Sequence, residues 1–278
     1  MAKRKPKVPA RIAPQLDFSK ALGGLFDLSG QVAYVPGGYG GIGEAIAWGL
    51  AQQGAAVAVS GRDRKKAEAL ASAIRRAGHK ALGLTMDAGH VADIRRSVDR
   101  VVKAFGRIDI LMNCVGIQIE QPLLDVAEKD FDRVYRINLK AAMFLGQAVA
   151  RHQVAAKRGG RQIHLLSVRA QLGLRNRGYS AYCATKGGMV MLVKQHAMEL
   201  APHGVTVNGV APTFVYTEMI RHVMENPAFR KGLLQRIPLG RIADPKDVVG
   251  PALFFASPGG GFTTGQILYV DGGITASQ

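Results

Sequence analysis

An alternation of short apolar segments with longer amphipathic ones, which begins at Gln31, constrains the fold of this chain more than any other feature. Several short segments are apolar throughout, as strands buried on both faces are. We predict strands at 32–35, 56–59, 81–86, 108–112, 162–166, 206–210 and 267–270, and helices at 42–53, 63–77, 90–104, 129–155, 181–202 and 245–256. This rhythm predicts an α/β fold with one parallel sheet of about seven strands and helices on both faces.

Length and composition favour one large domain. The 278 residues suffice for a single α/β domain, and the hydrophobic content of 47% is that of an ordinary globular core. No apolar run approaches the roughly 20 residues of a membrane-spanning helix, so we expect no membrane partner. Two cysteines, Cys114 and Cys183, do not make a disulfide framework. Together with an N-terminus that lacks an apolar signal core, they predict a cytoplasmic protein.

The chain is strongly basic, with a formal net charge of +17. Residues 1–25 are predicted to form a basic, disordered arm, because Pro6, Pro9 and Pro14 interrupt any helix there. Most of the excess charge nevertheless belongs to the predicted domain at 26–278. It fits a solvated surface, a phosphorylated cofactor, an acidic substrate or an acidic protein partner. No nucleic-acid motif accompanies it, and no His, Cys or acidic cluster has metal-ligand spacing, so we expect neither nucleic acid nor metal.

Residues 213–240 fit neither the strand nor the helix pattern. They contain Pro227 and Pro238 and fall between the sixth predicted strand and the last predicted helix. We predict that this segment is a substrate lid within the single domain.

A glycine-rich turn follows the first predicted strand, with the sequence Pro36-Gly37-Gly38-Tyr39-Gly40-Gly41-Ile42-Gly43. Glycines there allow a tight turn and let backbone N–H groups approach a pyrophosphate at the start of the next helix. The turn therefore predicts dinucleotide binding, by Gly37, Tyr39, Gly41, Ile42 and Gly43.

The end of the second predicted strand bears on the choice of dinucleotide. An NAD-specific fold usually places an acid there to accept from the ribose 2′-hydroxyl. In this chain Gly61 occupies the position and Arg62 follows. A guanidinium suits the 2′-phosphate, which favours NADP(H) while leaving NAD(H) open. The alternative makes Asp63 a helix N-cap and Arg62 a solvated side chain.

Three further residues are candidates for the nucleotide site. Asp87 follows the third predicted strand and is placed to accept from the adenine amino group or to cap the helix that starts near His90. Asn113 and Gly116 follow the fourth strand with small residues between them. We predict that this backbone lies beside the adenosine ribose.

A tyrosine and a lysine four residues apart, Tyr182 and Lys186, share one face of a predicted helix. A free phenol has a pKa of about 10 and is a poor base at neutral pH. A neighbouring ammonium stabilises the phenolate and lowers that pKa. The pair therefore predicts proton transfer by Tyr182. Tyr179 competes for this role but lacks the four-residue spacing to Lys186.

These residues, in this order, resemble the short-chain dehydrogenase/reductase family over about residues 27–275. The family's T-G-x-x-x-G-x-G turn matches here except at Pro36, its N-N-A-G motif corresponds to residues 113–116, and its closing motif corresponds to residues 270–273. Its active-site Asn, Ser, Tyr and Lys fall on Asn138, Ser167, Tyr182 and Lys186. The resemblance implies a Rossmann-type doubly wound sheet and hydride transfer between a nicotinamide and a carbonyl or secondary alcohol.

The resemblance also implies roles for these residues. Tyr182 exchanges a proton with the substrate oxygen, Ser167 donates to that oxygen, and Lys186 lowers the pKa of Tyr182 and binds the nicotinamide ribose. Asn138 holds a water that links Lys186 to solvent. Pro212 and Thr217 lie near the nicotinamide. Relatives assemble as homotetramers through the helices between 90 and 155, the helix at 181–202 and the last strand.

The chain departs from the family pattern at three places. Pro36 replaces a threonine whose hydroxyl helps to fix the turn, so rigidity must come from elsewhere. Thr213 stands where a glycine is usual, which bears on the backbone approach to the nicotinamide. The 15-residue spacing from Ser167 to Tyr182 is slightly long, and we assign the extra residues to a loop at 173–179 that borders the substrate.

Residues 187–273 are most similar to gluconate 5-dehydrogenase-like members, which implies a small-molecule substrate that is a sugar acid or its keto form. Arg169 and Gln171 are candidate substrate residues; Arg169 either holds a carboxylate or lies on the surface. A 3-oxoacyl-carrier-protein reductase is the alternative, and the basic body suits an acidic carrier protein. A catalytically idle nucleotide sensor is a third reading, against which the intact catalytic set argues.

Overall fold

The structure is a computed structural model that describes residues 22–276, without the side chains of residues 219, 222 and 223. The strands are β1 (Val32–Pro36), β2 (Ala56–Gly61), β3 (Ala81–Thr85), β4 (Ile110–Asn113), β5 (Gly160–Leu165), β6 (Val205–Pro212) and β7 (Ile267–Val270). They form one sheet in the order β3-β2-β1-β4-β5-β6-β7, and every pair is parallel. The predicted doubly wound α/β fold is confirmed.

The helices are α1 (Gly41–Gln52), α2 (Arg64–Arg76), α3 (Val91–Phe105), α4 (Glu128–Tyr135), α5 (Ala141–Ala156), α6 (Ser180–Leu200), α7 (Arg221–Met224), α8 (Pro227–Leu234) and α9 (Pro245–Ala256). The helix predicted at 129–155 is divided by a π-helical segment, Arg136–Lys140, between α4 and α5. Asn138 lies at the centre of that segment. Such π segments occur often at functional sites.

The sheet is buried on both faces, as the apolar strands predict. Val35 of β1 packs with Ile46 and Phe255 in the cluster under α1 and α9. Its neighbour Tyr34 points to the opposite face and packs with Leu145 in the cluster under α3 and α5. Because successive side chains of a strand point to opposite faces, this strand needs apolar side chains at every position.

The one polar atom on the Tyr34 side chain is fully satisfied. The Tyr34 hydroxyl lies 2.8 Å from Ser60 Oγ and 2.7 Å from Ser97 Oγ. Ser97 donates its own proton to the carbonyl of Ile94 at 2.7 Å, so Tyr34 donates to Ser97 and accepts from Ser60. Burial raises the pKa of Tyr34 to about 12. This network joins β1, β2 and α3 with no unpaired hydroxyl.

The connections reverse direction between β1 and β4. The chain runs from β1 through β2 to β3 on one side of the sheet, and from β4 to β7 on the other. In sheets of this kind, ligands bind at the carboxyl ends of the strands where the order reverses. The glycine-rich turn after β1 and Asn113 at the end of β4 therefore meet at the expected binding edge.

Residues 213–240 contain two short helices, α7 and α8, with an apolar cluster of their own. Met224, Leu233 and Ile237 are buried in it together with Ile274. That residues 213–240 close as a lid stays a prediction.

None of the helices within residues 22–276 is both long and apolar enough to cross a membrane.

The predicted arm lies largely outside the described residues, since only residues 22–25 of it are described. Residues 22–26 form turns, and the amide of Gly259 donates to the carbonyl of Leu25 at 2.9 Å. The extent of the arm and the boundary of the domain stay predictions.

Candidate active site

The glycine-rich turn is held by backbone groups of two neighbouring segments. Gly37 has a φ of +76°, its amide donates to the carbonyl of Ser60 at 2.8 Å, and a Cβ on it would lie 2.7 Å from the carbonyl of Cys114. The carbonyl of Pro36 accepts from the amide of Cys114 at 2.9 Å. These contacts supply the rigidity that Pro36, which has no hydroxyl, cannot supply.

Two other glycines of the turn are required by close packing. A Cβ on Gly43 would lie 2.5 Å from the carbonyl oxygen of Gly37, and one on Gly41 would lie 2.6 Å from Cγ2 of Thr217. Helix α1 begins after Gly40, and no side chain caps its first amides. Uncapped amides at a helix N-terminus are an anion-binding site. The turn therefore fits a dinucleotide pyrophosphate, with Thr217 beside it.

The end of β2 is shaped by Tyr39. The Tyr39 hydroxyl accepts from the amide of Asp63 at 3.0 Å, and a Cβ on Gly61 would lie 2.6 Å from that hydroxyl oxygen. The ring thus fills the space in which an acidic side chain at Gly61 would begin. Asp63 caps α2 by accepting from the amide of Lys66 at 3.1 Å, as one alternative expected. Arg62 is exposed, and within residues 22–276 its guanidinium has no hydrogen-bond or ion-pair partner.

Asp87 does not cap α3. That helix begins at Val91, and the Asp87 carboxylate accepts instead from the amide of Gly89 at 2.8 Å. The amide of Asp87 donates to Asp93 at 2.6 Å, which fixes the turn before α3. The capping alternative is therefore wrong, while contact of Asp87 with adenine stays a prediction.

Both polar atoms of the Asn113 side chain have a hydrogen-bond partner in the protein. Its Oδ1 accepts from the amide of Val115 at 3.1 Å, and its Nδ2 lies 3.1 Å from Nδ1 of the fully buried His164. Burial lowers the pKa of His164 to about 3, so the ring is neutral and Nδ1 is the acceptor. Asn113 thus shapes the backbone that leads to Gly116, where a Cβ would lie 3.6 Å from Nζ of Lys186.

Hydrogen bonds of the Asn138 side chain connect the segment after β4 to α6. Its Oδ1 accepts from the amide of Ile117 at 2.8 Å, and its Nδ2 donates to the carbonyl of Ile117 at 2.9 Å and to Thr185 Oγ1 at 3.2 Å. The side chain is fully buried. Its observed contacts position backbone, and the water that the family resemblance implies stays a prediction.

Ser167, Tyr182 and Lys186 meet at the carboxyl end of β5. Burial raises the pKa of Tyr182 to about 12, against which a hydrogen bond from Ser167 acts. Lys186 Nζ donates to the carbonyl of Leu165 at 2.7 Å and lies 5.5 Å from the centre of the Tyr182 ring. Burial lowers the pKa of Lys186 to about 8. In this structure burial therefore outweighs the expected lowering of the Tyr182 pKa, and the Tyr182 hydroxyl is protonated at neutral pH. That it exchanges this proton with a substrate stays a prediction.

Ser167 and Tyr182 line a cavity of about 390 Å³, which we call the active-site cavity. Ile42 and Thr217 connect it to the glycine-rich turn. Its other lining residues are Gln118, Glu120, Val168, Arg169, Arg177, Tyr179, Thr213, Phe214, Val215 and Ile220. No group of three or more His, Cys, Asp or Glu side chains that could hold a metal ion occurs among residues 22–276.

The two predicted substrate residues have different outcomes. Arg169 is only 4% exposed and lines the cavity, so its placement on the surface is wrong. Its Nη1 donates to the carbonyls of Leu172 and Gly173, at 3.2 and 2.6 Å, and braces that loop. Gln171 is exposed and lies outside the cavity lining, so the expectation that it faces the pocket is not met.

Pro212 is buried at the carboxyl end of β6. Its place near the nicotinamide stays a prediction. Thr213 follows it, and its amide donates to the carbonyl of Val270 at 3.2 Å. The Thr213 hydroxyl is buried at the cavity wall without a hydrogen-bond partner in the described part of the chain. A threonine in place of glycine therefore adds a polar group to the cavity.

Sequence reasoning missed an ion pair that closes one side of the cavity. The Arg177 guanidinium makes two hydrogen bonds to the Glu120 carboxylate. It also lies 5.6 Å from the centre of the Tyr179 ring and 5.2 Å from that of Phe229. The long spacing between Ser167 and Tyr182 pointed to the loop that carries Arg177. Nothing in the sequence pairs it with Glu120, which is 57 residues away.

Curated proteins of known activity are similar to this chain over most of its length. Gluconate 5-dehydrogenase of Gluconobacter oxydans is 38% identical over 253 residues, which are 91% of this chain and 98% of that protein. The (2S)-[(R)-hydroxy(phenyl)methyl]succinyl-CoA dehydrogenase subunit BbsD of Thauera aromatica is 37% identical over 246 residues, 88% of this chain and 97% of that protein. These two relatives differ widely in substrate, so overall identity does not identify the substrate here.

A solved structure is equally similar. The gluconate 5-dehydrogenase of Burkholderia cenocepacia J2315, in complex with NADP and tartrate, superposes with a TM-score of 0.88 at 36% identity and covers 91% of this chain and 98% of that chain. Residues 37–275 match a family model described as enoyl-(acyl carrier protein) reductase. The chain belongs to the short-chain dehydrogenase/reductase family and is an NAD(P)-dependent oxidoreductase.

Proposed function

We propose that the protein interconverts a sugar acid and its keto form, with NADP(H) as the preferred cofactor. The observation that carries this proposal is the meeting of Ser167 and protonated Tyr182 at the wall of a cavity that also holds polar side chains. The similarity to a gluconate 5-dehydrogenase supports the substrate class.

In the direction of reduction, a nicotinamide cofactor held by the glycine-rich turn after β1 would supply a hydride to the carbonyl carbon. Ser167 donates a hydrogen bond to the carbonyl oxygen and stabilises the negative charge that develops there. Tyr182 delivers its proton to that oxygen, and the product is a secondary alcohol. Lys186, beside the Tyr182 ring, stabilises the resulting phenolate. Oxidation of the alcohol reverses these steps.

The preference for NADP(H) is supported by the end of β2. Arg62 is an exposed guanidinium, and Tyr39 occupies the space that an acidic side chain at Gly61 would need. In Arg62→Ala we expect NADPH to bind about 10- to 100-fold more weakly and NADH to bind unchanged, because only NADPH carries the 2′-phosphate. Fluorescence titration measures both dissociation constants. Arg64→Ala, a neighbouring exposed arginine, is the control; equal losses for both cofactors in Arg62→Ala would contradict the proposal.

The substrate is tested by NADPH oxidation with 5-keto-gluconate in one assay and a 3-oxoacyl thioester in another. Turnover of the keto acid supports the proposal. The second candidate is a 3-oxoacyl-carrier-protein reductase, favoured by the net charge of +17 and by a relative that acts on a CoA ester. Turnover of the thioester alone would favour it. Cofactor binding without turnover of any carbonyl would support the idle-sensor alternative.

We also propose that the protein is a homotetramer located in the cytoplasm. Met191 and Met198 of α6 are 62% and 61% exposed, and Met143 of α5 is also exposed. Such apolar side chains on the two helices support assembly through this surface. Light scattering measures the mass in solution, and a monomer would contradict the proposal.

A further inference from the structure

The side chain of Gln118 lies at the wall of the active-site cavity without a hydrogen bond. Both of its amide atoms, Nε2 and Oε1, are buried, and neither has a partner within residues 22–276. A buried amide without partners destabilises a folded protein, so each such group calls for an explanation. We propose that Gln118 determines substrate specificity by binding hydroxyl groups of a polyhydroxylated substrate. This inference rests on the proposed function and names the group that selects the substrate.

The backbone around Gln118 is held firmly in place. The preceding residue, Ile117, has both its amide and its carbonyl bonded to Asn138. On the other side, the amide of Gln121 donates to the carbonyl of Gly178 at 3.1 Å. The unpaired amide therefore belongs to a segment whose backbone is held in place, as binding of a ligand in a defined position requires.

A second glutamine on the same segment, Gln121, has hydrogen-bond partners for its amide. Gln121 Nε2 donates to Asp130 at 2.9 Å, and its Oε1 accepts from the amide of Ala127 at 3.3 Å. Gln121 is thus satisfied by the protein and lies outside the lining of the cavity. Of these two glutamines, only Gln118 both lines the cavity and has an amide without hydrogen-bond partners in the described part of the chain.

The chemistry of the open groups identifies the ligand class. Nε2 can only donate and Oε1 can only accept, so the ligand must supply both an acceptor and a donor. Hydroxyl groups on adjacent carbons supply both, whereas an acyl chain supplies neither. The nearby Glu120–Arg177 pair is internally neutralised, and Thr213, another lining residue, has a buried hydroxyl that is also unpaired in the described part of the chain. The cavity is thus suited to hydroxylated carbons beside the reacting carbonyl.

The test compares Gln118→Leu with the wild type and with Gln121→Leu. For Gln118→Leu we expect kcat/KM for 5-keto-gluconate to fall about 10- to 100-fold, since two hydrogen bonds are lost. We expect kcat/KM for a ketone of similar length without hydroxyls, 2-hexanone, to stay the same or rise. The Kd of NADPH should not change. D-Gluconate, added with NADP, should raise the Tm of the wild type but not that of Gln118→Leu.

Stability supplies an independent check. Gln118→Leu should keep or raise the Tm of the free protein, because it removes a buried unpaired amide. Gln121→Leu should lower the Tm, because it breaks two hydrogen bonds, and should leave the ratio of the two kcat/KM values unchanged. A Gln118→Leu variant with an unchanged ratio, or with weaker NADPH binding and equal losses on both ketones, would overturn the inference.

Failure of the proposed function is distinguished by the wild type. If the wild type neither reduces 5-keto-gluconate nor is stabilised by D-gluconate, the proposed function fails. The inference is then decided by the same ratio measured with 1,3-dihydroxyacetone and acetone. A ratio that Gln118→Leu leaves unchanged would overturn it there too.

Discussion

The glycine-rich turn after β1 and the wall of the active-site cavity lie at the same edge of the sheet but are built differently. Backbone groups hold the turn, and Gly37 and Gly43 are needed because no side chain fits there. The cavity wall is held by side chains, through the Glu120–Arg177 pair, and the Gln118 amide there is unpaired in the described part of the chain. A backbone-built site suits a cofactor common to many relatives, whereas a side-chain-built site changes with each substitution. From this comparison we infer that the first region binds the cofactor and the second selects the substrate.

The largest expected effect separates chemistry from cofactor binding. Tyr182→Phe should lower kcat about 10²- to 10⁴-fold, because the substrate oxygen loses its proton donor. The fold and the Kd of NADPH should not change, since the turn after β1 does not involve this hydroxyl. Stopped-flow kinetics and fluorescence titration measure the two quantities. Retained turnover would remove Tyr182 from the proposed mechanism.

Lys186 lies between the two regions, and its buried ammonium makes stability depend on pH. Its pKa in the folded protein, about 8, is below the ordinary 10.5, so between these values the unfolded chain binds more protons. The contribution of Lys186 to the free energy of unfolding of the wild type therefore rises as the pH increases from 8 to 10.5. This contribution is lost as the pH falls through 8. Near pH 7, Lys186→Met should be the more stable protein by roughly 2–3 kcal/mol, after loss of one hydrogen bond.

Urea unfolding at pH 7 and at pH 10 measures that difference, which should shrink at the higher pH. The variant should also lose turnover, which shows that the lysine is kept for function rather than for stability. Parallel stability profiles of the two proteins would mean that the ammonium is solvated and not buried.

Two glycine substitutions, one in the turn after β1 and one in a loop near the cavity, test whether the turn is the more constrained. Gly37→Ala should lower the free energy of unfolding by about 2 kcal/mol or more, because alanine is strained at a φ of +76° and its Cβ would meet the Cys114 carbonyl. Gly173→Ala, in the loop near the cavity, should change it by less than about 0.5 kcal/mol, since nothing lies within 4 Å of the added Cβ. Chemical denaturation compares them. Equal effects would show that the turn is no more constrained than the loop.

The smallest expected effect concerns the ion pair of the wall. The Glu120 and Arg177 side chains are 34% and 23% exposed, so a double-mutant cycle of Glu120→Gln and Arg177→Gln should give a coupling of about 0.5–1 kcal/mol. The coupling should weaken in 1 M salt. We expect KM for the substrate to rise more than the Kd of NADPH, because the pair borders the cavity and not the turn. A change confined to NADPH binding would reverse the assignment of the two regions.

Local features of the sequence determined much of this protein. Strands that are buried on both faces are apolar throughout, so all seven strands were predicted, with ends that differ by at most two residues. The turn after β1 depends on consecutive glycines, and the pairing of Tyr182 with Lys186 depends on one helical turn. These features involve neighbours in the chain and are therefore visible without the fold.

The tertiary structure decided what depends on distant partners. Asn138 is hydrogen-bonded to the backbone of Ile117, and Glu120 is paired with Arg177. Asp87 does not cap α3, and Gln171 does not line the cavity. Burial also made Tyr182 a weaker acid than its spacing to Lys186 predicted. The physical reason is common to all of these. Hydrogen-bond partners and solvent exclusion are set by which segments the sheet brings together, and residue spacing along the chain carries no record of that.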